Sequence, residues 1–154
     1  MKKIILTFLA FTLLFTYGFA QSKSEFLKDS RVQELQKTVF SVNYISPEDT
    51  DKIAETIKQI KTQGDALVEY YGLDNINNYI AESIKIENDS KLAGGDKCHR
   101  NANGTVNSSA CSFWENISVS FQSYIGCPSP PVGAPSSWYD SQLNCIQSII
   151  CKTC

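Results

Sequence analysis

The chain of 154 residues carries 14 Lys+Arg against 16 Asp+Glu, 42% hydrophobic residues, and six cysteines that all lie from Cys98 to Cys154. Its length fits one small domain with a modest core. A net charge of −2 with no basic cluster excludes nucleic-acid binding by phosphate neutralisation.

Residues 1–20 read as a signal peptide. Lys2 and Lys3 form a positive n-region, residues 4–15 are apolar apart from two threonines, and Gly18-Phe19-Ala20 supplies small residues for cleavage after Ala20. The apolar stretch is short for a span of about 20 residues, so no stable transmembrane segment is expected after cleavage. No cysteine stands at the junction to take a lipid anchor. The mature chain then begins at Gln21 and has 12 positive and 16 negative side chains, a net −4.

Two parts of different chemistry follow. Residues 21–95 hold 9 Lys+Arg, 13 Asp+Glu and no cysteine, whereas residues 96–154 hold 3 of each and all six cysteines. The first part predicts three amphipathic helices. Ser24 caps one in which Leu27, Val32, Leu35, Val39 and Val42 recur at helical spacing, until Asn43–Ser46 interrupts it. Ser46-Pro47-Glu48-Asp49 opens a second, carrying Ile53, Ile57, Ile60, Leu67 and Tyr71 and stopping at Gly72. Within it Gly64 reads as a weak point costing about 1 kcal/mol relative to Ala. Asp74 caps a third with Ile76, Tyr79, Ile80 and Ile84 on one stripe. Such stripes form the core of a small bundle. The polar segment ending in Gly94-Gly95 marks the boundary.

The second part predicts a disulfide-stapled helical hairpin. Ser112 and Glu115 make a capping box for a helix bearing Phe113, Ile117, Phe121 and Tyr124, ended by Gly126 and Pro128. Ser137 with Asp140 opens the other, which carries Trp138, Leu143, Ile146, Ile149 and Ile150. The proline-rich link 128–131 is extended, so the helices run antiparallel. The overall class is all-α.

An even number of cysteines in an exported chain predicts three bridges among Cys98, Cys111, Cys127, Cys145, Cys151 and Cys154. Cys111 and Cys127 flank one helix, roughly 24 Å apart at about 1.5 Å per residue, and cannot pair across a limit of about 7 Å. The antiparallel arrangement favours Cys111 with Cys151, Cys127 with Cys145, and Cys98 with Cys154.

No metal site, cofactor or catalytic group is expected. The sole CxxC is Cys151 to Cys154, the sole histidine is His99, and no second ligand pair stands at zinc-finger spacing. A helix C-terminus raises a thiol pKa, which argues against Cys151 as an attacking group. Asn88, Asn103, Asn107 and Asn116 begin Asn-x-Ser/Thr triplets, but the export signal resembles bacterial ones, and no glycan is expected.

Two functional expectations remain, both non-enzymatic and both secreted or periplasmic. In one, export signal, Cys-free segment, Leu92-Ala93-Gly94-Gly95 junction and Cys-rich end resemble the layout of small bacteriocin precursors, with cleavage after Gly95 releasing a toxin-like peptide. Two features depart from that layout: the secretory signal itself, and polar Asp89 where an apolar leader residue is usual. In the other, the whole mature chain is an extracellular binding module, with Trp114, Trp138 and Tyr139 as contact surface for an extracellular protein or the cell envelope.

Overall fold

The computed structural model describes residues 22–88, 98–100, 102, 105–108, 111–127, 131 and 133–154. Its elements in chain order are α1 (Lys23–Lys28), α2 (Ser30–Ser41), a 3-10 turn (Val42–Tyr44), α3 (Thr50–Tyr71), α4 (Leu73–Asn88), β1 (Cys98–Arg100), β2 (Val106–Ser108), α5 (Phe113–Gly126) and α6 (Ser136–Thr153). The fold is all-α and disulfide-stapled. To this it adds a short antiparallel ladder that sequence patterning did not indicate, with Cys98 opposite Ser108 and Arg100 opposite Val106.

The first expected helix is two. Asp29 takes an extended conformation at the end of α1 and caps α2, its carboxylate accepting the Arg31 backbone N–H at 2.9 Å. Ser22 rather than Ser24 caps α1, through the Glu25 N–H. At α3 the cap is Asp49, which accepts from Lys52 N–H at 3.2 Å, and Ser46–Asp49 forms a preceding turn that leaves Pro47 outside the helix. Gly72, at φ 78°, ends α3 while its carbonyl accepts from Ile76 N–H in the first turn of α4. One residue therefore closes one helix and opens the next, a conformation that glycine adopts without a Cβ penalty. The capping box of Ser112 and Glu115 forms as the sequence indicates. For α6 the cap position is Pro135, not Ser137, and no side chain caps it.

Helix α5 lies at the centre. It packs against α2, α3, α4 and α6, and Ile117, Ser118, Val119, Ser120 and Phe121 are all buried in succession. A helix covered on every side needs small residues where its neighbours come closest, and polar ones need local partners. Ser120 Oγ donates to the Asn116 carbonyl at 2.7 Å, and Gln122 Nε2 donates to Ser118 Oγ at 2.7 Å. The apolar stripe read from the sequence captured only one side of this helix, and its first member, Phe113, is exposed.

One continuous core runs through both compositional parts. Phe26, Leu35, Ile53, Leu67 and Ile76 from the Cys-free segment join Ile117, Phe121, Leu143, Ile146 and Ile150 from the Cys-rich one. Phe26 is the meeting point. Its ring, fully buried, stands edge-on to Tyr71 at 5.1 Å and lies 5.6 Å from Tyr79 and 5.8 Å from Phe121. A six-residue helix has almost no stability of its own, so α1 is held by this ring and not by propensity.

Beside it, Asp29 and Arg31 pair side by side, and Tyr71 Oη donates to Asp29 Oδ2 at 2.8 Å. The Arg31 guanidinium also stacks 4.3 Å from the Tyr70 ring. Hydrogen bonding from Arg31 first, opposed by burial and reinforced by the Arg31 N–H and Tyr71, holds the Asp29 carboxyl down at about 2. Burial and the bond to Asp29 push the Tyr71 hydroxyl well above its usual value.

Two measurements check this account. Phe26→Ala should lower stability by about 3–5 kcal/mol, the cost of an aromatic cavity, read as a drop in denaturant midpoint. A midpoint unchanged within error would remove Phe26 from its central place. The depressed Asp29 pKa stabilises the fold above the unfolded value near 3.8, and that contribution is lost as pH falls towards about 2. Discounted for the partly exposed Arg31, it amounts to on the order of 1–2 kcal/mol. Asp29→Asn should therefore flatten the pH dependence of stability between pH 4 and pH 2, while at neutral pH the variant is the weaker protein.

Candidate functional site

An open groove of about 630 Å³ lies between α3 and the approach to α6. One wall is the outer face of α3, where Ala54, Lys58, Lys61, Thr62 and Asp65 recur at helical spacing. The other is Pro131, Gly133 and Tyr139 from the approach to α6 and its first turn. Ile57 forms part of an apolar floor. Concave, mainly apolar sites with a few placed polar groups are the usual form of a ligand or peptide seat.

Asp65 on the groove wall is held from behind by Tyr124 of α5, whose ring packs on Gly64. A Cβ built on Gly64 would stand 2.2 Å from Cδ2 of the Tyr124 ring, so the ring of α5 rests directly on the α3 backbone. Tyr124 Oη then donates to Asp65 Oδ1 at 2.7 Å, and the Lys61 ammonium sits 3.0 Å from Asp65 Oδ2. The hydrogen bond from Tyr124 and then Lys61 lower the Asp65 pKa, while burial and the bond to Asp65 push the Tyr124 hydroxyl up to about 12. Gly64 is thus a point of close approach, and its apparent weakness in the sequence is the space an aromatic ring requires.

The expected contact residues separate. Tyr139 lines the groove, and Trp138 beside it in sequence is 45% exposed. Trp114 lies at the start of α5, next to the end of α6, roughly 24 Å along that helix from Trp138 at about 1.5 Å per residue. It is half-buried, with the Lys23 ammonium 5.2 Å above its ring and Phe113 edge-on at 5.4 Å. Lys23 in turn lies 3.6 Å from Glu82. Trp114 therefore packs with Lys23 of α1, which itself pairs with Glu82 of α4, and does not join Trp138 in one surface. Lys58 and Asp65 were absent from the sequence reading, and Pro131 entered it only as part of an extended link; the spacing of Ala54, Lys58, Lys61 and Asp65 on one face carries the signal, but only the fold shows which face stays uncovered.

Cys111 and Cys127 flank α5, while Cys145 and Cys151 lie in α6 and Cys154 caps its end. Cys127 is bridged to Cys145 with Cα atoms 5.9 Å apart, as the antiparallel geometry indicates. Cys111 is bridged to Cys154, Cα atoms 4.8 Å apart, which corrects the expected pairings of Cys111 with Cys151 and Cys98 with Cys154. The reason is helical. Cys151 and Cys154 stand one turn apart on the same face, so both reach the start of α5 and reach alone cannot choose between them. Cys151 is disulfide-bonded as well. Bridged cysteines belong to an oxidising compartment.

Cys98 and His99 lie in β1, His99 opposite Asn107. Ala20 and Gly95, the two processing positions, lie outside the described residues. No cluster of three metal-ligating side chains occurs among the described residues, and none of their helices is long and apolar enough to cross a membrane. Comparison of the chain with protein-family models, curated proteins and solved structures returns no match.

Gly64→Ala separates propensity from packing. In an open helix the exchange gains about 1 kcal/mol, but here the added methyl displaces Tyr124 and should cost a net of roughly 1–3 kcal/mol. The thermal midpoint reads the sign, and a stabilised variant would show that the ring does not rest on α3.

Proposed function

We propose that this is an exported, non-enzymatic binding protein that acts as the whole mature chain and engages an extracellular protein or the cell envelope through the groove beside Tyr139. The observation that carries the reading is the shared core. Residues 22–88 contribute Phe26, Leu35, Ile53, Leu67 and Ile76 to the same cluster as Phe121 and Ile146, so removing them would expose the apolar side of the hairpin. A leader designed to be discarded has no need of such residues.

The groove supports the choice of site. Its walls carry cations, acids and an aromatic ring over an apolar floor, and the exposed Trp138 extends the aromatic surface beyond it. Aromatic side chains on a supported helix are efficient anchors because they bury much area at small entropic cost. The bridged cysteines support export, and residues 1–20 support the secretory route.

Two readouts test this. Culture supernatant of the producing cell should contain the intact chain; accumulation of a fragment beginning near Asp96 would favour the toxin-like precursor instead. Tyr139→Ala combined with Lys58→Ala should keep the thermal midpoint within a few degrees yet reduce binding to the producer's own envelope fraction at least tenfold, a loss of about 1.4 kcal/mol. Undiminished binding by a folded double variant would move the site elsewhere.

A further inference from the structure

We propose that the groove between α3 and the start of α6 seats a short acidic and apolar peptide segment of a partner protein, with Lys58 and the Tyr139 hydroxyl as the donors that receive its carboxylates. The inference rests on this groove being the contact site and names the chemistry of what enters it. The polar groups on its walls differ in what they have left to offer. Asp65 is engaged twice, by the Tyr124 hydroxyl at 2.7 Å and by the Lys61 ammonium at 3.0 Å. Glu55 accepts from Gln59 Nε2 at 3.3 Å, and the Thr62 hydroxyl donates to the Lys58 carbonyl at 3.0 Å. Lys58 Nζ and Tyr139 Oη, one on each wall, have no partner among the described residues. Ammonium and phenol both donate to oxygen, and a carboxylate is the peptide group that answers them best.

Charge and shape agree with that occupant. From Thr56 to Gly64, α3 carries Lys58 and Lys61 and no acid. The opposite wall adds the same sign, because no side chain caps α6 and no acid stands in its first turn, which leaves the positive end of an 18-residue helix beside Gly133 and Tyr139. Asp140, next in that helix, is half-buried and forms no part of the lining. Along α3 the wall from Ala54 to Asp65 runs about 16 Å at about 1.5 Å per residue, the length of about five extended residues. Ile57 and Pro131 offer apolar side chains of such a segment a seat. An anionic lipid surface is a poorer match, since it attracts clusters of several cations and this chain has a net charge of −2.

The test uses the oxidised whole chain and a set of short peptides of about five residues, blocked at both ends, that share one apolar frame and carry a central aspartate, asparagine or lysine. Binding is read from amide NMR shifts along α3. The aspartate peptide should bind about tenfold more tightly than the asparagine peptide, the lysine peptide should bind more weakly than either, and the preference should shrink as salt rises. Lys58→Met and Tyr139→Phe keep the aliphatic stem and the packed ring, so each should fold with an unchanged thermal midpoint and reduce the preference to about twofold or less. Equal affinity for the aspartate and asparagine peptides overturns the carboxylate and leaves an apolar seat. An undiminished preference in Lys58→Met overturns the donor assigned here. If no peptide binds to a chain whose capture by the envelope fraction still depends on Tyr139 and Lys58, the acidic segment is overturned and the groove stands as the contact site; if that capture is absent as well, the groove falls with it. Tighter binding to phosphatidylglycerol vesicles than to the aspartate peptide overturns the protein partner in favour of lipid phosphate.

Discussion

The contact of one phenylalanine ring with three others organises the bundle. Phe26 reaches Tyr71 at the end of α3, Tyr79 in α4 and Phe121 in the central helix, so a short N-terminal helix closes a seam between elements far apart in sequence. Fully burying such a side chain contributes about 1.5–3 kcal/mol from its area, and edge-on aromatic pairs add to it. That is enough to hold α1, which could not persist as an isolated helix. The Asp29 and Arg31 pair then sets the angle between α1 and α2, because the same carboxylate caps α2 and accepts from Tyr71. Packing places the ring, and the polar cluster fixes how the chain leaves it.

Covalent and non-covalent stabilisation are divided by sequence. Every cysteine follows residue 97, so no bridge can reach α1 to α4. Cys111–Cys154 and Cys127–Cys145 tie the two ends of the α5–α6 hairpin and restrict its unfolded chain. What joins the two halves of the molecule is apolar burial, reinforced by a few specific contacts such as Tyr124 on Gly64 and Gln147 Nε2 donating to the Val42 carbonyl at 3.4 Å. The hairpin is thus a stiff insert around which uncrosslinked helices close.

Periodicity made the helices legible, because Ile53, Ile57, Ile60 and Leu67 repeat along one face and must be covered whatever covers them. Capping chemistry located the start of α5, where Ser112 and Glu115 satisfy each other locally. It misplaced the start of α3, since Ser46 and Asp49 are both good caps and only the preceding turn decides between them. The split at Asp29 was hidden for the same reason: an aspartate inside a helical pattern reads as a surface residue until Arg31 and Tyr71 converge on it. Pairing of cysteines failed one turn from the truth, where spacing gives two positions equal reach. The groove was the least legible feature. Which side of an amphipathic helix stays open depends on how many neighbours surround it, and five consecutive buried residues in α5 show that neighbours can be on all sides.

That crowding around α5 bears directly on how the molecule works. A membrane-active hairpin would use the apolar side of α6, with Leu143, Ile146 and Ile150, yet these are the residues that the Cys-free helices already cover. The same surface cannot be both the core of an intact protein and the working face of a released peptide. Fully burying each of those side chains is worth about 1.5–3 kcal/mol, shared between α5 of the same hairpin and the Cys-free helices. Even a chain cut near Gly95 would keep its fragments associated until something outcompeted that burial. Free of this conflict are the outer face of α3 and the first turn of α6, where Trp138 is exposed and the half-buried Tyr139 keeps one side against the core while lining the groove.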